Sequence, residues 1–346
     1  MTYTFKGFRK SLYHPAQDPH AVLIEEIGPG YAVYRREWEE TTRLELERAY
    51  PVQLDFELNV SCNLKCPMCT WSAETTAGEG TESWMDFDFF RQTVADGVRH
   101  GLRAVNLNYV NEPLIRRDLP RFVRCAREAG AVEVMFNTNG LLLTERLARE
   151  LIEAGLTKLS FSVDAATAET YRVVRVGGDF ARLLRNIRRF VEIRAEMGAR
   201  IPLLKLTFLK MSANAHELDE FVAAWRDTAE LFSIQNLYNP FDGELGRERE
   251  RYFVTGLPSP VTGTPRCPSP FQRLTVRANG DVLPCCNMRA ADRLVMGNAR
   301  EQDVHAIWLS GPMKEMRAMH RESRYRDNPV CRACVEQSDA WAPEPR

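Results

Sequence analysis

Three cysteines within eight residues, Cys62, Cys66 and Cys69 in the run CNLKCPMC, are the first chemistry in the chain. Thiolates ligate soft metals and iron–sulfur clusters. Three of them can wrap a cubane cluster and leave a fourth iron without a protein ligand, open to a small chelating molecule. Zinc is the competing occupant, but it takes four ligands in paired spacings, and no nearby His or Cys completes this set. Four more cysteines, Cys267, Cys285, Cys331 and Cys334, form a second group towards the C-terminus. Two metal centres are the natural first reading, although a CxxC-terminated set can equally hold zinc and staple a small module. Cys286 is left over beside Cys285. Adjacent strand residues face opposite ways, so both thiols are not expected at one cluster. Cys286 is then an unused buried thiol, a substitute ligand, or a hydrogen-atom donor facing substrate. Cys125 stands alone inside a predicted helix and is assigned to packing.

The elements that must position these residues follow an alternating pattern. From residue 52, strand-like runs at 52–60, 104–108, 132–137, 158–163, 203–209 and 231–238 alternate with helical stretches at 87–100, 119–129, 145–154, 180–196 and 215–228. Six strands separated by helices call for parallel βαβ units with right-handed crossovers. Six units rather than eight predict an open, partial barrel with its chemistry at the C-terminal strand ends, and the first cysteine cluster directly follows the first strand. Residues 1–51 read as an N-terminal extension with a charged helical stretch near 35–48, and 239–266 as a Pro-, Gly- and charge-rich linker. The segment 267–346 reads as a small module built on a β-hairpin around Asn279-Gly280 and a helix over 304–322. The expected fold is therefore α/β: a partial (β/α)6 barrel with a C-terminal hairpin-plus-helix module.

Composition narrows the class. The 346 residues are 44% hydrophobic and 27% charged, with a formal net charge of −1. That profile can bury a full core and carries no field for polyanions, so nucleic acid and membrane surfaces are not expected partners. The N-terminus lacks the apolar stretch of a signal peptide, and clustered cysteines suit a reducing compartment, so the expected location is cytoplasmic.

CNLKCPMC resembles the CxxxCxxC motif of the radical SAM superfamily. The resemblance covers roughly residues 52–238 and extends into the C-terminal module. It implies a 4Fe–4S cluster on Cys62, Cys66 and Cys69 that binds S-adenosylmethionine (SAM). It also implies a 5′-deoxyadenosyl radical that abstracts a hydrogen atom from substrate, and a flavodoxin- or ferredoxin-type electron donor. Asn111-Glu112-Pro113 resembles the family's Gly-Gly-Glu-Pro turn without its glycines, with Glu112 set to meet the SAM amino group. Thr138-Asn139-Gly140 resembles the family's TNG turn, in which Asn139 would lie at the floor of the site. Ser162-Val163-Asp164 resembles the S-x-D segment, where Ser162 would bond SAM and Asp164 would shape the turn or face substrate. Arg175 resembles the family's carboxylate-binding arginine.

The Gly280-x-x-x-x-Cys285 step, Gly297-Asn298 and Ile307-Trp308 resemble the SPASM/twitch extensions of that superfamily. The cysteine count fits the shorter twitch type with one auxiliary cluster, and the spacing resembles that of 2-deoxy-scyllo-inosamine dehydrogenases. If the pattern transfers, Cys267, Cys285, Cys331 and Cys334 ligate a second 4Fe–4S cluster. The expectation is an oxidoreductase acting on a C–H bond of a small polar substrate (a sugar, aminocyclitol or polyol). The alternatives are an epimerase using Cys286, a peptide maturase, and a non-catalytic metal-binding scaffold. Trp71, Tyr109, Asn236, Tyr238 and Asn239 sit at expected strand ends as candidate pocket residues.

Overall fold

The structure is a computed structural model that describes residues 10–13, 18–69, 84–236, 266–287 and 293–337. Six parallel strands form its centre: β2 (Gln53–Phe56), β3 (Ala104–Asn106), β4 (Glu133–Thr138), β5 (Lys158–Ser162), β6 (Leu203–Lys210) and β7 (Leu231–Asn236). They pair consecutively and in parallel, β2 through β7, as βαβ units require. The helices between them are α3 (Phe87–Arg99), α4 (Leu119–Ala129), α5 (Glu145–Glu153), α6 (Ala168–Val174), α7 (Phe180–Glu196) and α8 (Leu218–Trp225). Polar side chains start most of them: Asp86, Thr144, Thr167 and Asp179 each accept a backbone N–H in the first turn. One apolar core runs through the sheet and includes Leu54, Phe56, Phe136, Phe161, Leu206 and Phe232, all buried. The expected partial barrel is present.

Both ends of this sheet are extended by chain that sequence periodicity set apart. At one edge, β1 (Lys10–Tyr13) pairs antiparallel with β7. At the other, β8 (Arg273–Val276) pairs in parallel with β2, followed by antiparallel β9 (Asp281–Leu283) and β10 (Gly297–Asn298). The C-terminal module thus continues the barrel sheet, and charge locks the join. Along β2 and its exit, Gln53, Asp55, Glu57 and Asn59 alternate with apolar residues and are nevertheless buried. Asp55 meets Arg273 at 3.3 Å and Glu57 meets Arg277 at 3.3 Å. Buried carboxylates persist where such partners offset their desolvation.

Several element boundaries differ from expectation. The first strand ends at Phe56, because the following residues turn away to bond neighbouring loops. The N-terminal helices are α1 (Pro19–Ile27) and α2 (Pro29–Thr42), broken at Gly28, whose φ of 96° suits glycine. The stretch 215–228 divides into a 3-10 turn at Ala215–Glu217 and α8. The stretch 304–322 divides into α10 (Val304–Trp308) and α11 (Gly311–Arg321), because Ser310 caps a fresh start whose first turn carries Pro312. A short α9 (Ser269–Gln272) and a terminal α12 (Pro329–Gln337) complete the module.

Helices α1 and α2 cover the N-terminal strand ends. There Glu133 accepts from the Tyr34 hydroxyl at 2.7 Å and meets Lys158 Nζ at 2.6 Å. The Tyr31 hydroxyl lies 3.5 Å from Glu133 and 3.2 Å from His20 Nδ1. This buried knot serves stability, because barrel chemistry gathers at the opposite face. No helix among the described residues is long and apolar enough to cross a membrane.

Candidate functional site

The loop carrying Cys62, Cys66 and Cys69 leaves the C-terminal end of β2 and is tied down from three sides. Glu112 N–H donates to Ser61 O at 2.9 Å, and Asn59 Nδ2 donates back to Glu112 O at 3.3 Å. Lys65 N–H donates to Val176 O at 2.9 Å. Cys66 is buried, and Cys62 and Cys69 are half-buried. Burial pushes the Cys62 thiol up to about 12; the Leu64 amide opposes this, and Glu112, Cys66 and Cys69 add to it. Burial also raises Cys66, against the pull of Arg175, whose Nη1 lies 3.7 Å from its sulfur.

These residues fit a cluster by their donor chemistry. None of the nine cysteines is in a disulfide. Neighbouring buried thiolates repel one another, and a shared cationic centre is what lets them ionise together. Among the described residues no three His, Cys, Asp or Glu side chains already stand close enough to hold a single metal ion. The fit therefore rests on loop placement and thiol chemistry.

Glu112 ties three strand-end loops together. Its Oε1 accepts from Thr138 Oγ1 at 2.6 Å and Leu114 N–H at 3.0 Å, and its Oε2 accepts from Asn139 N–H at 2.8 Å. Burial raises its pKa, and these donors pull it back. Asn139 Nδ2 donates to Asn63 Oδ1 at 2.9 Å, joining the TNG turn to the cysteine loop. Gly140, at φ 75°, closes that turn, and a Cβ there would lie 2.6 Å from Phe161 and 2.7 Å from Leu183. Gly140→Ala is expected to cost about 2–4 kcal/mol from left-handed backbone and overpacking together, read as a lowered urea midpoint.

After β5, Ser162 stands half-buried in register with Thr207. Asp164 is fully buried at φ 61°, an uncommon conformation that Asp tolerates. Its Oδ1 accepts from Leu209 N–H at 2.7 Å, its carbonyl accepts from Asn214 Nδ2 at 2.8 Å, and its Oδ2 pairs with Arg175. Arg175 thus bridges Asp164 and Cys66, and carboxylate and thiol together hold its pKa up against burial. Glu217 secures the α6 start by accepting from Ala166 N–H and Thr167 Oγ1, each at 2.6 Å. The structure therefore gathers Glu112, Asn139, Asp164 and Arg175 around the cysteine loop, with Ser162 two residues from Asp164. Asn63, Asn214 and Glu217 were not anticipated. Asn63 lies inside the motif itself and was its one available signal; the other two act across long sequence separations.

The second cysteine group also converges. Cys267 is buried just before α9, and burial pushes it up to about 11. Cys331 and Cys334 lie three apart on α12, so they share a helix face, and Asn328 Oδ1 accepts from Cys331 N–H at 3.1 Å. Burial and then Cys267 raise Cys331 to about 12. Burial pushes the Cys285 thiol well up, the neighbouring Cys286, Cys267 and Cys334 add to it, and the Asn287 amide opposes it. The strand alternation expected to separate Cys285 from Cys286 does not operate, because β9 ends at Leu283 and both cysteines sit in the bend beyond it. Cys286 acts electrostatically on Cys267, Cys285 and Cys334 alike.

Tyr109, from the loop after β3, reaches this group: its hydroxyl donates to Asn287 O at 2.8 Å. Asn236 ends β7, whereas Trp71, Tyr238, Asn239 and nearly all of the 239–266 stretch lie outside the described residues. Cys125 is half-buried on α4 against the main core, as assigned.

Residues 56–207 match the Radical SAM superfamily model, and residues 267–335 match SPASM, an iron–sulfur cluster-binding domain. The chain carries a Radical SAM domain followed by a SPASM domain. It is 27% identical over 192 residues to a "Probable GTP 3',8-cyclase" of Methanococcus maripaludis, spanning 55% of this chain and 60% of that relative. Among solved structures, BtrN in complex with AdoMet and 2-DOIA superposes with a TM-score of 0.51 at 18% identity. That match covers 85% of this chain and 99% of BtrN. Streptococcus suis SuiB bound to S-adenosylmethionine gives 0.62 at 14% identity, covering 86% of this chain and 77% of SuiB. At such identities these structures bear on the fold, which they share with this chain.

Proposed function

We propose that this protein is a radical SAM oxidoreductase of the dehydrogenase type acting on a small polar substrate, a sugar, aminocyclitol or polyol. In this reading Cys62, Cys66 and Cys69 hold the SAM-binding 4Fe–4S cluster. Glu112, Asn139, Ser162, Asp164 and Arg175 seat SAM or shape its cradle. Cys267, Cys285, Cys331 and Cys334 hold one auxiliary 4Fe–4S cluster of the twitch type, with zinc as the rival occupant. The observation that carries the reading is the hydrogen bond from Tyr109, at a barrel strand end, to Asn287, two residues from Cys285. It favours a second thiolate set at the barrel mouth, near where substrate must enter.

When loaded, the clusters and SAM supply the reductive cleavage that starts hydrogen abstraction and an acceptor for the substrate's second electron. The substrate then loses a hydrogen atom from carbon, a proton from the adjoining O–H or N–H, and one electron, so that C–H and O–H bonds become C=O. A flavodoxin- or ferredoxin-type donor is the external source of the first electron. The chain's own share is to seat SAM through the groups joined by Glu112 and to keep the SAM cradle and auxiliary set in one sheet.

The test is a panel of aminocyclitols, sugars and polyols incubated anaerobically with reconstituted protein, SAM and dithionite. Stimulated 5′-deoxyadenosine with an oxidised product, and with Cys334→Ala cleaving SAM but oxidising little, is the expected result. Solvent deuterium in an unoxidised product would favour an epimerase instead, and stimulation only by GTP or a peptide would refute the small-substrate reading.

A further inference from the structure

Asn287 stands between the barrel and the second cysteine group and touches both. Its carbonyl accepts the Tyr109 hydroxyl at 2.8 Å. Its backbone N–H donates to the Cys285 thiol, and its side chain donates to the Cys334 thiol. Tyr109 in turn packs with Cys285, Cys331, Leu283, Met316 and Val330 in one apolar group. The Cys285 carbonyl is held separately by Thr275 Oγ1 at 3.0 Å, so the bend around Asn287 is fixed from two directions.

We infer that Asn287 is a positioning residue that sets the reduction potential of the auxiliary centre through hydrogen bonds to Cys285 and Cys334, and that Tyr109 holds it in place from the barrel. The inference rests on the reading that these cysteines hold an iron–sulfur cluster. A hydrogen bond donated to a ligating sulfur withdraws electron density from the iron and stabilises the reduced, more negative state, which raises the potential. Apolar surroundings such as Leu283, Leu294, Met316 and Met319 strengthen each such bond by lowering the local dielectric. Because Tyr109 comes from the loop that also carries Glu112, the SAM cradle and the electron acceptor share one short backbone segment. A displacement of that loop on substrate binding would reach the auxiliary cluster through a single hydrogen bond.

The test is an EPR-monitored redox titration of the reconstituted full chain, with iron and sulfide counted on each sample. Asn287→Leu keeps the γ-branched shape but removes the side-chain donor to Cys334. It is expected to retain full iron content and to lower the auxiliary midpoint by about tenfold in the reduction equilibrium, about 59 mV for one electron. The first cluster's midpoint should not move. Tyr109→Phe should lower the auxiliary midpoint less, and on the Asn287→Leu background its step should shrink to what the remaining backbone N–H to Cys285 contributes. Wild-type protein holding iron for one cluster would overturn the auxiliary-cluster reading and this inference with it. Two clusters in the wild type with an unmoved midpoint in Asn287→Leu would overturn this inference alone. Loss of auxiliary iron from Asn287→Leu would also overturn it, assigning the residue to holding the loop.

Discussion

Replacing Cys66 with Ala is expected to abolish SAM cleavage, with 5′-deoxyadenosine falling at least about 10³-fold and bound iron falling by about four per chain. Cys66 is the most buried of the three motif thiols and stands beside Arg175. Its loss leaves two ligands, too few to retain a cubane against dissociation. The change is small and lies in a loop held by backbone bonds from Glu112 and Lys65, so the fold should persist by circular dichroism. Cys125→Ala is the control, because that thiol lies on α4 among Arg91, Arg121 and Glu128 with no cysteine of either group acting on it, and both readouts should stay at wild-type values. Residual cleavage within tenfold of wild type in Cys66→Ala would remove the motif from the chemistry.

Replacing Glu133 with Gln should produce the largest loss of stability with the site residues untouched. Burial alone would raise this carboxyl, but Lys158, Arg35 and the Tyr34 hydroxyl outweigh it and hold the pKa at about 2. A carboxyl depressed from its ordinary 4.5 to about 2 contributes about 3 kcal/mol, in line with the cost of removing one partner of a buried ion pair. That contribution is full above the unfolded value of 4.5 and is lost as pH falls through about 2. Urea unfolding at pH 7 should therefore show Glu133→Gln weaker by about 3 kcal/mol, with the gap to wild type narrowing below pH 4.5. Half-buried His20 adds an acid sensitivity of its own. Burial, with Arg35 and Lys158, lowers its pKa from 6.5 to about 4, so stability begins to fall with pH already below 6.5. A variant with unchanged urea midpoint would show that the Tyr34–Glu133–Lys158 contacts contribute nothing net.

What could be read from sequence was local. The motif triad, the strand-helix alternation and the hairpin at Asn279-Gly280 each depend on neighbours in the chain, and all are present in the structure. The Glu112, Asn139, Asp164 and Arg175 positions were reachable only through family resemblance, because their partners lie 11 to 109 residues away. Pairings across still longer separations were not legible. Nothing in residues 10–13 signals an edge for β7, and nothing in 273–276 signals a parallel partner for β2. The alternation of Gln53, Asp55, Glu57 and Asn59 resembles a half-exposed strand until Arg273 and Arg277 are seen to cover it. Asn287 was missed for the same reason: its role depends on Tyr109, 178 residues earlier.

Two iron–sulfur centres in one chain are the core of this account, and iron and acid-labile sulfide counted after anaerobic reconstitution test them most directly. About eight irons and eight sulfides per chain, falling to about four of each when Cys331 and Cys334 are both replaced by Ala, is the predicted result. About four irons with one zinc per chain would contradict it, leaving the second cysteine group a structural staple and the substrate's second electron without its acceptor.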